Sequence, residues 1–453
     1  MRTGPEKNEI NPLGLATVRW FVAFRVFFNA RFYYPVFTIL FLDFGLTLEQ
    51  FAVLNAVWAA TIVLAEVPSG ALADVIGRRR LVLAAAVLMV VEMALLCFVP
   101  RGNADLLFAV FLANRICSGG AEAAASGADE AMAYDALQRA GAAAQWGRVL
   151  EVQVRFQSIG YIVAMSLGAA LYDPAMVQKV SDILGFDAVV SQAQTLRLPL
   201  YLTLAMALLA LVSAWRMEET VPVPGRGGEA APNRAALPME ALRMTLRAGH
   251  WILKTPFALA VILSGLLFDA TVRLVITLVS QYYRVIHIPE AVYGLIGSAL
   301  AVLGLFVPRI AAAMSRRRPP AANFWTVGLM ILFGLTAMAP TIAGWGVLPV
   351  AVLVGAMYLN GFFVSDYLNR VADSSQRATV LSFKGLSYNL AYGAAGLLYS
   401  MLLAHLRAGT PGSGPATEIQ NAVFVSSLPW FPAVFFVLLL VLAVVLGRNR
   451  TLR

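Results

Sequence analysis

Histidine and cysteine are almost absent from this chain: its 453 residues hold three of the former and two of the latter. His250, His287 and His405 stand near the ends of apolar runs, which excludes a deep histidine proton relay. Cys97 and Cys117 fall within neighbouring apolar runs, where small packing residues are expected rather than a disulfide or a metal site. Charge is scarce as well, at 13% of residues against 60% hydrophobic, and a soluble fold of that composition has too little polar surface to cover itself. No Gly-x-x-x-x-Gly-Lys-Ser/Thr loop occurs, so the chain does not hydrolyse ATP by that route. An intramembrane enzyme would need a nucleophile with its base, or a histidine and carboxylate metal set, and three peripheral histidines supply neither. These absences leave an all-α membrane protein with no enzymatic chemistry and no cofactor.

What the chain has instead is apolar length. A helix needs about 20 mainly apolar residues to cross the hydrocarbon layer. Such runs occur at about 17–42, 50–73, 81–99, 105–132, 149–172 and 198–215, then at 255–281, 291–314, 321–340, 347–369, 380–405 and 428–447. The gap at 216–254 is rich in proline, glycine and arginine and includes Pro222, Pro224, Gly225, Gly227 and Gly228. It predicts a linker between a six-helix bundle at 1–215 and a second at 255–453. The first run carries Arg25, Asn29 and Arg31, lacks the clean apolar core of a cleavable signal peptide, and is expected to remain as the first span.

Lysine and arginine set the orientation, because loops on the cytoplasmic side retain them. With both termini cytoplasmic, about 21 of the 34 basic residues fall in cytoplasmic segments and about 5 in external loops. The net charge of +9 thus marks an inside face and not a nucleic-acid surface, since the basic residues are divided among short loops. The expected place is a cytoplasmic (inner) membrane.

The two halves echo one another. Asp135-Ala-Leu-Gln-Arg139 after the fourth span matches Asp366-Tyr-Leu-Asn-Arg370 after the tenth, and the triplet Arg78–Arg80 matches Arg316–Arg318. Arg148 and Arg155 are matched by Arg377 and Lys384 at the same spacing. Echoes six helices apart fit parallel repeats related by an axis along the membrane normal.

Between the second and third spans stands Gly70-Ala-Leu-Ala-Asp74-Val-Ile-Gly77-Arg78-Arg79-Arg80. Its glycines permit close helix approach and a tight turn, and its aspartate can accept charge-assisted hydrogen bonds. This loop resembles the signature loop of the major facilitator superfamily, Gly-x-Leu-Ala-Asp-x-x-Gly-Arg-Arg/Lys. The resemblance implies twelve helices in two pseudo-symmetric bundles around a central site. It also implies that Gly70, Asp74, Gly77, Arg78 and Arg79 form a latch that holds the halves together on the cytoplasmic side when the site faces outward. The second-half copy departs, with Pro308, Ala312 and Ser315 in place of the glycines and aspartate. Arg115-Ile-Cys-Ser-Gly119 in the fourth span looks like the family's Arg-x-x-x-Gly pattern, found near the coupling machinery of proton-coupled members. The fifth span has Gly160, Ala164 and Gly168 at four-residue spacing but lacks the Gly-Pro pair typical of drug:proton antiporters.

Ionisable groups deep in a span are costly and usually face a cavity or pair with one another. Arg25, Arg31, Arg115, Arg155, Arg273, Lys384, Glu66, Glu92, Glu122, Asp129, Asp269 and Asp366 all fall within or beside apolar runs. At about 1.5 Å per residue, Arg115 lies roughly 15 Å into the fourth span and Asp269 roughly 20 Å into the seventh. The family resemblance makes the first, fourth, seventh and tenth spans line the cavity, so Asn29, Arg31, Arg115, Glu122, Asp269, Arg273 and Asn360 are the expected substrate and coupling residues. Asp269 and Arg273, four apart, share a helix face and are expected to pair when the site is empty. Asp269 and Glu122 are the expected proton carriers. Glu66, Asp129, Asp135, Asp366 and Arg370, near the inner ends, are expected in structural pairs, and Phe28, Phe32, Tyr33 and Tyr34 are expected to face lipid.

The resulting expectation is a monomeric secondary transporter that carries a small-molecule substrate by alternating access and draws on a proton gradient. Efflux of amphipathic compounds is the alternative, and a non-transporting membrane sensor a remote one. Deep arginines favour an anion.

Overall fold

The computed structural model describes residues 11–186, 189–218, 243, 247, 249–372, 377–410 and 415–448. Most of the linker expected at 216–254 lies outside them. The described residues form helices and no strands, as expected where every backbone polar group must be satisfied within its own segment. Ten segments are long and apolar enough to cross a membrane, and two further helical segments complete the expected twelve.

Both of those two depart from a simple apolar run for visible reasons. The first span is broken into Ala16–Asn29 and Phe37–Phe44, with Pro35 unable to continue a helical ladder between them. At the break, the amide of Phe32 donates to Thr203 Oγ1 of the sixth span at 3.0 Å, so a backbone group freed by the break is satisfied by a neighbour. Gly168 makes this approach possible: a β-carbon there would overlap the carbonyl of Phe32. The eleventh span, Arg377–Ala408, is long enough but diluted by glycine, serine, asparagine and tyrosine. Helix breaks also divide the fourth span, at Ser126 and Gly127 (φ +76°), the seventh, after Thr277, and the twelfth, after Ser427.

The signature loop forms the tight turn that its glycines imply. The helices Leu48–Ile76 and Arg78–Phe98 meet at Gly77, whose φ of +96° suits glycine. Arg78 pairs with Asp135 at 2.5 Å. Arg79 donates to the carbonyls of Trp215 and Met217 at 2.9 and 2.8 Å and so caps the end of the sixth span, Leu198–Arg216. The surroundings of Gly70 and the side chain of Asp74 lie outside what the structure describes.

Hydrogen bonds and ion pairs that join the two halves gather at the end of the bundle distant from the chain termini. Thr38 donates through its hydroxyl to the carbonyl of Thr277 and through its amide to Ser280 Oγ. Arg284 grips both oxygens of Asp43 at 2.8 and 2.7 Å and also reaches Glu290 at 2.6 Å, while the Tyr172 hydroxyl donates to Asp43. Arg407 grips Glu49 at 2.5 and 3.0 Å. Gly294 of the eighth span meets the Met165 carbonyl so closely that a side chain there would overlap it. Gly393 and Gly396 of the eleventh span pack on Ala56 and Ala52 of the second, where a β-carbon would make ordinary contact at Gly393 and a tight one at Gly396. The molecule is therefore shut at its distal end.

Candidate functional site

Between the halves, below this seal, lies a cavity of about 1140 Å³. Its polar wall includes Arg31, Arg115, Ser118, Glu122 and Arg273, and the remainder is largely apolar and aromatic, including Tyr34, Phe37, Trp58, Tyr283 and Tyr392. A second, more polar space of about 490 Å³ shares Trp58 and Glu122 with it and continues past Asn29, Glu66, Asp129 and Glu130 toward the terminal end. The two together make a path that is closed distally.

The arginines of the amino-terminal half have different duties. Arg31 sits at the break in the first span, 5% exposed, and pairs with the fully buried Glu92 of the third. The Asn114 side chain donates to the backbone carbonyl of Glu92 at 2.8 Å and, in turn, accepts from Arg115 Nε at 3.0 Å. Arg31 is thus spent on a structural pair. A buried charge without its partner is costly, so Glu92→Leu is expected to destabilise the protein by about 3–5 kcal/mol. Thermal unfolding in detergent checks this, and an unchanged midpoint would show that the pair holds nothing.

Arg115 differs. It is 3% exposed, lies on the cavity wall, has no carboxylate partner among the described residues, and its Nη2 has no hydrogen-bond partner. Its guanidinium carbon stands 5.3 Å from the ring centres of both Phe37 and Phe41, so two aromatic faces help hold the cation. Two helical turns along, Glu122 faces both spaces with no ion pair or hydrogen bond among the described residues. The sequence places these two on one face, and the structure leaves both uncommitted.

In the carboxy-terminal half Asp269 and Arg273 pair at 2.5 Å, as their spacing predicts. Arg273 also donates to Asn389 at 2.9 Å and covers the ring of Tyr392 at 5.4 Å, reaching the cavity that Asp269 does not line. Lys384 is within electrostatic reach of Asp269. Asn360 is 2% exposed and donates to the Gly265 carbonyl at 3.1 Å, which ties the tenth span to the seventh, away from the cavity wall. Asn29 lines the polar space and donates to the carbonyl of Arg25 at 2.7 Å.

Near the terminal end, Asp129, Asp135 and Asp366 stand in pairs with Arg25, Arg78 and Arg370 at 2.5 Å each, as expected for structural charges. Glu66 is an exception and has no such partner among the described residues. The aromatics of the first span correct an expectation. Phe28, Phe32 and Tyr33 are buried inside the protein and Tyr34 faces the cavity, because the break at Ala30 turns this segment inward. Sequence reasoning also missed the distal clamp of Asp43, Glu290 and Arg284, charges that lie at span ends and read as ordinary loop residues.

A twelve-helix series in two bundles around a central space is the arrangement the signature loop implied, and the sequence model of the Major Facilitator Superfamily matches residues 19–396. The chain belongs to the Major Facilitator Superfamily. No curated protein matches in sequence. Solved structures that share its fold include a bacterial homolog to the human lysosomal transporter Spinster, inward-facing and unoccupied, at TM-score 0.67 and 15% identity, covering 99% of this chain and 98% of that one. The nucleoside transporter NupG matches at TM-score 0.64 and 13% identity over 94% and 99% of the two chains. A D-xylose-proton symporter matches at 0.56 and 15% over 94% and 97%. As a member of this superfamily the chain is a multi-pass membrane transport protein, not an enzyme.

Proposed function

We propose that this transporter carries a small organic anion across the cytoplasmic membrane by alternating access, together with protons, as a monomer with both termini inside. The observation that carries the reading is Arg115: a buried cation on the wall of a cavity closed at one end, with a buried donor that no group among the described residues holds. A cation so placed attracts an anion by charge and offers directional hydrogen bonds. The basic loops support termini on the inside, which makes the closed distal end external and this conformation inward-facing.

Glu122 is the proton carrier that this geometry favours. It faces the inner space and has no ion-pair partner among the described residues, whereas Asp269 is paired with Arg273. An anion seated on Arg115 with a proton on Glu122 would cross with little net charge. Asp269 joins the path if the substrate draws Arg273 away from it.

Proteoliposomes under an imposed pH gradient test the reading, with a panel of labelled carboxylates and phosphates. Glu122→Gln is expected to abolish gradient-driven accumulation of the transported anion while exchange of internal for external anion persists. Accumulation unchanged in that variant would remove Glu122 from the coupling path. Absence of Arg115-dependent movement of any anion would overturn the transport reading offered for this site.

A further inference from the structure

Resting on the anion reading of Arg115, we infer that the anion is an amphiphile, with its head group at Arg115 and an apolar tail laid along the fifth and eighth spans.

The wall made by the fifth and eighth spans carries no charge. Trp146–Tyr172 and Tyr293–Arg317, the fifth and eighth spans, meet tightly at their distal ends, through Gly294 against Met165 and Ser166 beside Ser298 at 3.4 Å. Beyond that point they flank the cavity with Val154, Ile162, Val302 and Leu305, which are 44% to 67% exposed although they line an internal space. Large aliphatic side chains left so open gain by contact with an apolar body rather than with water. The charged groups of the cavity, Arg31, Arg115, Glu122 and Arg273, all stand on the first, fourth and seventh spans, whereas the fifth and eighth add only neutral polar groups, Gln157, Ser158, Tyr161, Tyr293 and Ser298, among their aliphatic ones.

The other lateral boundary is built differently. The second and eleventh spans touch through small residues, with Gly393 and Gly396 on Ala59, Ala56 and Ala52, and their contact continues to Trp58 against Tyr392 at 6.4 Å. The apolar lining thus falls to the fifth and eighth spans, together with Val350, Val354, Met357 and Phe362 of the tenth.

The test measures saturable binding to the full chain in nanodiscs, relative to empty discs. The probes are butanoate, octanoate, dodecanoate and the equally long cation dodecyltrimethylammonium. The expected result is a gain of about tenfold or more for each four methylenes added to the carboxylate, with the cationic amphiphile at least tenfold weaker than dodecanoate. Leu305→Asp is expected to reduce the chain-length gain, and Arg115→Gln to erase the preference for the anion. Competition by lysophosphatidate placed in the disc bilayer, compared with dodecanoate added from water, separates a membrane lipid from a water-borne anion as the source. Arg115-dependent butanoate binding with no gain from chain length would overturn the amphiphile and leave the anion reading intact. Equal binding of the cationic amphiphile would overturn the head-group assignment, and no saturable binding of any probe would overturn both.

Discussion

Arg115→Gln is expected to lower anion transport by about 100-fold or more while leaving the protein folded. A charge-assisted hydrogen bond in a site of low dielectric is worth about 1.5–3 kcal/mol, and loss of the attraction between ions adds to it. The fold should tolerate the change because Arg115 holds no carboxylate and makes one internal hydrogen bond, to Asn114. Its neighbour in the sequence-derived set, Arg31, should respond in the opposite sense: Arg31→Gln leaves Glu92 buried without its cation and should lower stability first. Uptake and thermal unfolding measured on both variants separate a binding arginine from a structural one. Equal losses of stability in the two would mean that Arg115 is also a structural residue.

Arg284→Ala is expected to open the outer end. Arg284 is the only cation paired with Asp43 and Glu290 among the described residues, and its removal leaves two partly buried carboxylates facing each other across the interface of the halves. Partly buried pairs of this kind are worth about 1–3 kcal/mol, enough to shift an equilibrium between two conformations by roughly 5- to 150-fold. Tyr283, 3% exposed behind the clamp, is the place to look. In a chain whose Cys97 and Cys117 have been replaced by serine, Tyr283→Cys should react slowly with a water-soluble thiol reagent applied from outside. Adding Arg284→Ala should speed that reaction at least fivefold. An unchanged rate would show that the seal is made by the glycine contacts rather than by charge.

The architecture was largely legible because its causes are local and repeated. Apolar runs long enough to span and the turn at Gly77 each leave a signal in the chain itself. The Asp269–Arg273 pair was equally accessible, since four-residue spacing alone puts both on one helix face. The break in the first span was hidden: Phe28, Phe32 and Tyr33 read as aromatics facing lipid, and what receives the segment inside the protein is Gly168 and Thr203, distant in sequence. Which arginine is free was hidden for the same reason. Arg31 and Arg115 look alike in a hydropathy profile, and only the position of Glu92 on the third span distinguishes them. Asn360 shows the converse, a polar residue at suitable depth that serves the Gly265 carbonyl.

The most direct test of the account is a pair of distance measurements between spin labels in the serine-substituted chain, one pair at Asp105 and Ala416 on the outer side and one at Arg80 and Arg318 on the inner side. The account predicts a narrow, short outer distance and a longer inner one in the resting protein. When Arg284→Ala or a transported anion opens the outer end, the inner distance should shorten in the same molecules. An inner distance that stays fixed while the outer one widens would contradict alternating access.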